Sequence, residues 1–193
     1  MQSNVRRKST DTQKLVLFSL FTALVIVLQC LASFAFPKIG VSINLSLIPV
    51  VLGAALCNKW AGAWLGLVSS FIILFDPTTV AFMTFNAPAT VFLVLLKGTA
   101  SGLLAGIVYE VLKKHNQYIS VIVSAFTAPV VNTGIFFIGC FTLFYDLISE
   151  WSGDSSMLYF VIVVMIGTNF LIELGLNLLL SPTILRLLNL RKK

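Results

Sequence analysis

Residues Leu15 to Phe34 read LVLFSLFTALVIVLQCLASF, without one charged side chain. A helix of that length rises about 30 Å, the thickness of the hydrocarbon core of a bilayer. Arg6, Arg7, Lys8 and Lys14 precede the run, and Pro37 and Gly40 follow it, where helical pairing must stop. A basic start before an apolar run is also the pattern of a signal peptide. Here the run is longer than a signal core and leads straight into further apolar sequence, so it reads as a retained first span.

Working outward, the same composition continues. Of the 193 residues, 58% are hydrophobic and only 10% charged, and the mean hydropathy is +1.00. A water-soluble domain does not tolerate that balance. Further apolar runs lie at about 43–56, 61–75, 89–112, 119–145 and 157–180. The second holds Pro49 and Gly53, and both it and the third are short. They form either two short spans or one re-entrant hairpin. The stretch from Asp76 to Pro88 reads as an outer loop, as does the segment carrying Asp146, Glu150, Trp151 and Asp154. Ser181 and Pro182 read as the start of a short terminal turn.

The expectation is therefore an all-α membrane protein, a bundle of six transmembrane helices with N- and C-termini cytoplasmic. Residues 1–14 form a cytoplasmic segment, 15–185 the membrane domain, and 186–193 a basic tail. On this path Arg6, Arg7, Lys8, Lys14, Lys59, Lys113, Lys114, Arg186, Arg191, Lys192 and Lys193 lie inside, Lys38 lies outside, and Lys97 falls within the fourth span. That is the positive-inside pattern. Trp151 and Tyr159 at one face, and Trp60 and Tyr109 at the other, suit interfacial anchors. The formal charge of +6 sits at the ends of apolar runs, which argues against a nucleic-acid partner.

A charge in mid-span costs about 2.5–3.5 kcal/mol or more, so Lys97 and Glu173 need an account. Either they pair with each other across the bundle, or at least one touches a substrate or a watery cavity. Asn169, Glu173 and Asn177 recur every four residues and share one helical face, which must look into the bundle. Asn132 lies near Pro129 and Gly134, where loosened backbone suits ligand contact or plain packing. Asn44 and Asn86 lie near outer span ends, either lining an entrance or capping helices. Ser19 and Ala23 form a small-residue face on the first span, and Gly98, Gly102 and Gly106 a second row on the fourth that suits packing inside the bundle.

Cys30, Cys57 and Cys140 have no neighbouring Cys or His and read as small apolar residues, so no metal site is expected. His115 reads as a solvated helix end. No nucleotide-binding loop, zinc-protease motif or nucleophile elbow is present, and no catalytic residue or cofactor is assigned.

The stretch from Ser42 to Ala54, with Ile43, Asn44 and Leu45 followed by Ile48, Pro49, Gly53 and Ala54, resembles the INLxxIPxxxGA segment of the S components of energy-coupling factor (ECF) vitamin transporters. Ala61 to Gly66 follows as in the family, although Asn58–Gly62 lacks the Pro of the family turn, and Leu95–Gly98 is also similar. Ser19 and Ala23 stand where the family has an Ala-xxx-Ala docking motif.

The resemblance implies a multi-pass subunit of a bacterial plasma membrane that binds a vitamin from outside. Its partners would be a membrane coupling subunit and two cytoplasmic ATPases. The resemblance to the second-span segment of the pantothenate subgroup makes pantothenate the expected ligand, its carboxylate meeting Lys97. Substrate contacts are expected from Lys97, Asn132, Asn169, Glu173, Asn44 and Asn86, and partner contacts from Ser19 and Ala23. A neutral vitamin such as riboflavin, stacked on Phe85 or Trp151, is the alternative. A small membrane enzyme and a purely structural protein are the readings from other classes.

Overall fold

The structure, a computed structural model, describes residues 2–34, 44–167, 170–179 and 182, with side chains from Thr12 onward. The described chain is 89% helical, without a strand among the described residues. In order the elements are α1 (Gln2–Phe34), α2 (Leu47–Leu56), α3 (Lys59–Ile73), α4 (Pro77–Leu112), α5 (Gln117–Thr142) and α6 (Tyr145–Ser152). A C-terminal span, Met157–Leu179, follows, π-helical over Phe160–Gly167. Lys38, the break at 36–43, Asn169, Ser181 and the tail 186–193 lie outside the described residues.

Among the described residues four helices are long and apolar enough to cross a membrane: Thr12–Phe34 within α1, then α4, α5 and Met157–Leu179. The helices α2 and α3, with 10 and 15 residues, rise only about 15 and 22 Å. Large apolar side chains such as Leu20, Phe92 and Leu171 stay more than half exposed on the outside of the bundle, where acyl chains would cover them.

Three expectations are corrected here. The stretch after Asp76 is helical, not an outer loop. Asp76 caps it by accepting from the Thr78 N–H at 2.9 Å, and Pro77 occupies the first turn, where its missing N–H costs nothing. The helix breaks only at Asn86 (φ −150°, ψ 90°), ahead of Pro88. The Asn86 side chain then accepts from the Ala89 N–H at 3.2 Å and restarts the helix. Likewise the fifth helix stops at Thr142, and the segment read as a loop folds into α6. Tyr109 is also not an interfacial anchor: it is buried in the core, whereas Trp60, Trp151 and Tyr159 are exposed.

The tightest crossing is between α3 and α4, which run antiparallel. Gly66 faces Gly98, Gly62 faces Gly102, and Lys59 lies over Gly106. A methyl group on Gly62 would come 2.5 Å from the Gly102 carbonyl oxygen, and one on Gly98 would come 2.7 Å from that of Gly66. The glycine row of the fourth span thus packs inside the bundle, because only residues without a side chain let two backbones approach so closely. Lys59 closes the end of this crossing on Glu110, Nζ to Oε2 3.4 Å.

Two apolar clusters fill the interior. One gathers Phe21, Val25, Val50, Leu65, Ala105, Tyr109 and Val121 from α1 to α5. The other joins Phe82, Leu93, Cys140, Phe144, Leu147, Ile148 and Val161. Chain order puts the second at the end of the bundle that carries the α3–α4 turn and α6.

Candidate substrate-binding cavity

Beside the second cluster lies a cavity of about 100 Å³. By the same measure one water needs about 10–15 Å³, so there is room for several waters or for much of a small organic molecule. Six stretches of the chain contribute: α1 gives Gln29, the turn leading into α2 gives Asn44, α3 gives Ile73, α4 gives Lys97, α5 gives Asn132, and the C-terminal span gives Glu173. The apolar walls are Phe82, Phe136, Phe144 and Phe170, with Met165 and Ile166 between them.

Lys97 is half-buried on the cavity wall, one residue before the glycine that locks α4 onto α3. Its Nζ lies 5.1 Å from the centroid of the Phe136 ring, a cation–π contact that offsets part of the desolvation of the ammonium. Glu173 and Asp76 are the carboxylates within its electrostatic reach. Among the described residues no oxygen accepts a hydrogen bond from Lys97, and the Glu173 carboxylate is not in ion-pair contact with it.

Glu173 has fixed partners of its own. Its Oε1 accepts from the Asn44 backbone N–H at 2.9 Å, and the Asn132 side chain lies beside the same carboxylate. Asn44 Oδ1 in turn accepts from the Ser46 hydroxyl at 2.7 Å. Ser46 touches the Ser69 hydroxyl, Ser69 reaches Gln29 Oε1 at 3.4 Å, and Gln29 Nε2 donates to Ser33 at 3.2 Å. All of these side chains are buried. The chain of bonds ties α1, α3 and the start of α2 to the acid on the last span. Asn132 Oδ1, by contrast, is buried without a partner, a costly state for an acceptor inside a membrane protein.

The residues singled out from sequence separate clearly. Lys97, Asn132, Glu173 and Asn44 share the cavity wall. Asn86 is exposed and caps the second half of α4, away from the wall. Asn177 is buried but spends its amide on the Glu173 backbone carbonyl at 2.8 Å, and Asn169 lies outside the described residues. Phe85 and Trp151 are not on the wall: Trp151 meets Phe82 edge-on at 5.3 Å and Phe85 leans on Phe144 at 6.4 Å. Ser19 and Ala23 are exposed together on the outer face of α1.

Sequence reasoning missed Gln29, Ser46 and Ser69. Gln29 carried a usable signal, being the one amide in the otherwise apolar half of the first span. The cysteines divide, Cys140 buried in the second cluster and Cys30 and Cys57 half-buried. Among the described residues no group of His, Cys, Asp and Glu could hold a metal ion.

The family model described as "ECF transporter, substrate-specific component" matches residues 13–185. No curated protein and no solved structure matches the chain.

Proposed function

This chain belongs to the family of ECF transporter substrate-specific components, and from that premise we propose that its cavity captures pantothenate on the outer side of a bacterial plasma membrane. The family is one of substrate-binding subunits of vitamin-type importers, multi-pass proteins that work with an ECF module. One observation carries the finer reading: an interior ammonium, Lys97, faces a cavity and has no acceptor among the described residues. A carboxylate is the natural occupant, since it would complete a charge-assisted bond where solvent screening is weak.

In the arrangement we favour, six segments cross with both termini inside, and the membrane domain extends over 15–185. The end of the bundle bearing the cavity then faces outward. The exposed Ser19 and Ala23 face of α1 is available to a membrane coupling subunit, which two cytoplasmic ATPases would drive. Asn169 stays a candidate contact as part of the same helical face as Glu173. The four phenylalanine walls favour riboflavin, a neutral ring system, as the second reading.

The test is purification in mild detergent without added vitamin, followed by mass spectrometry of whatever small molecule is released, for the native chain and for Lys97→Ala. Pantothenate released from the native chain and lost from the variant supports the reading. Riboflavin retained by both variants replaces it with the second.

A further inference from the structure

Lys97 and Glu173 lie on the same cavity wall, yet they are not joined. Each lies in the other's field, and in a low-dielectric interior that attraction would close the pair if nothing held the two apart. Both are held. On the cation's side, the packing of Gly98 against Gly66 and Ser70 holds the backbone of α4, and the Lys97 side chain rests its Nζ 5.1 Å from the centroid of the Phe136 ring. Glu173 is held from the other side, by the Asn44 N–H at 2.9 Å and, behind it, by the Ser46 contact that continues to Ser69 and Gln29. The scaffold therefore presents a cation resting on Phe136 and an anchored anion to one space instead of joining them in an ion pair.

A carboxylate has about four lone-pair directions. The Asn44 N–H fills one and the neighbouring Asn132 side chain can fill another, which leaves acceptor capacity directed at whatever fills the cavity. The ammonium opposite is all donor. A ligand bearing only an anionic group would satisfy Lys97 and be repelled by Glu173. One bearing only hydrogen-bond donors would do the reverse.

We propose that the cavity selects dipolar ligands: an anionic end bound by Lys97, a hydroxyl, amide N–H or ammonium donor bound by Glu173, and an apolar stretch between them against Phe136 and Phe144. This rests on the capture reading above and narrows it. Simple fatty acids, whose single polar group is the carboxylate, are rejected, and so are the alcohol analogues of an acceptable acid.

The test uses the full chain in mild detergent, with binding followed by calorimetry and thermal shift. Four probes separate the two ends. Pantothenate has a carboxylate with hydroxyl and amide donors, and panthenol has the same donors with a neutral hydroxyl in place of the acid. Biotin has a carboxylate with ureido N–H groups, and lipoate has a carboxylate without another donor. The expected result is that pantothenate or biotin binds at least tenfold more tightly than lipoate, and the acid more tightly than panthenol by a similar factor. Lys97→Met should remove the preference of the acid over panthenol. Glu173→Gln should weaken the donor-bearing acid about tenfold while tightening lipoate, whose repulsion by the Glu173 carboxylate is then gone.

Lipoate binding as well as pantothenate and biotin overturns the proposal. So do variants that lose thermal stability equally while every affinity ratio stays fixed, the behaviour of a water-bridged structural pair. A co-purified ligand that lacks either an acid or a donor overturns the dipolar selection but leaves capture standing. Absence of any released small molecule, with no shift from any of the four probes, overturns both.

Discussion

Replacing Gly102 by alanine tests the α3–α4 crossing on which the position of Lys97 depends. The added methyl would run into the Gly62 carbonyl oxygen and come within 3.0 Å of Val50 Cγ1. The first neighbour is backbone and cannot rotate away, so the helices must separate. Overpacking of this kind costs about 1–3 kcal/mol. Alanine also gains up to about 1 kcal/mol over glycine in a helix, which blurs the reading of a single variant. Gly134→Ala on α5 removes that ambiguity, because its methyl would meet nothing within 4 Å. The propensity gain is common to both variants and cancels. The difference between them, about 1–3 kcal/mol, is the cost of forcing two backbones apart. Unfolding in detergent, followed by the fluorescence of Trp60 and Trp64 on α3, should place Gly102→Ala well below Gly134→Ala in midpoint. Equal midpoints would refute the close backbone contact, and with it the idea that α3 fixes the stretch of α4 bearing the ammonium.

Other perturbations have equally definite outcomes. Asn86→Ala removes the cap that restarts α4 and should cost about 1 kcal/mol of stability, with vitamin affinity unchanged because the residue is off the cavity wall. Phe82→Ala deletes a buried ring that meets Phe136, Phe144 and Trp151 edge-on at 5.1–5.8 Å, and should cost about 3–5 kcal/mol in unfolding. Lys59→Met breaks a partly exposed ion pair with Glu110; the midpoint should move by no more than about 1 kcal/mol, so a larger loss would mean that this pair governs the crossing.

What could be read from the sequence follows from how rare each residue type is in its setting. Lys97 and Glu173 announced themselves because charge in an apolar run has no cheap explanation, and the glycine row did so through its spacing of four. The aromatic wall did not, since with 16 phenylalanines the type is as common against lipid as inside, and only packing tells the two apart. The stretch after Asp76 is ambiguous in sequence for a different reason. An Asp-Pro pair serves both to open a turn and to cap a helix and fill its first position. Asn86 was legible as a polar residue at a break, but whether its amide faces a ligand or its own backbone depends on a φ/ψ that no spacing encodes. Gln29 is hard to read from the first span alone because its role depends on Ser69, which lies 40 positions away.

The two apolar clusters have a bearing on descent. None of the residues gathered around Val25, Val50 and Leu65 touches the cavity, whereas the second cluster supplies Phe82, Leu93 and Phe144 to its wall. A lineage can therefore exchange the residues that line the cavity, one at a time, without disturbing the half of the molecule that keeps the helices in register. Diversification of cargo on a constant chassis is what such a partition permits, and a designer wishing to redirect this protein would leave the first cluster alone and work on the second.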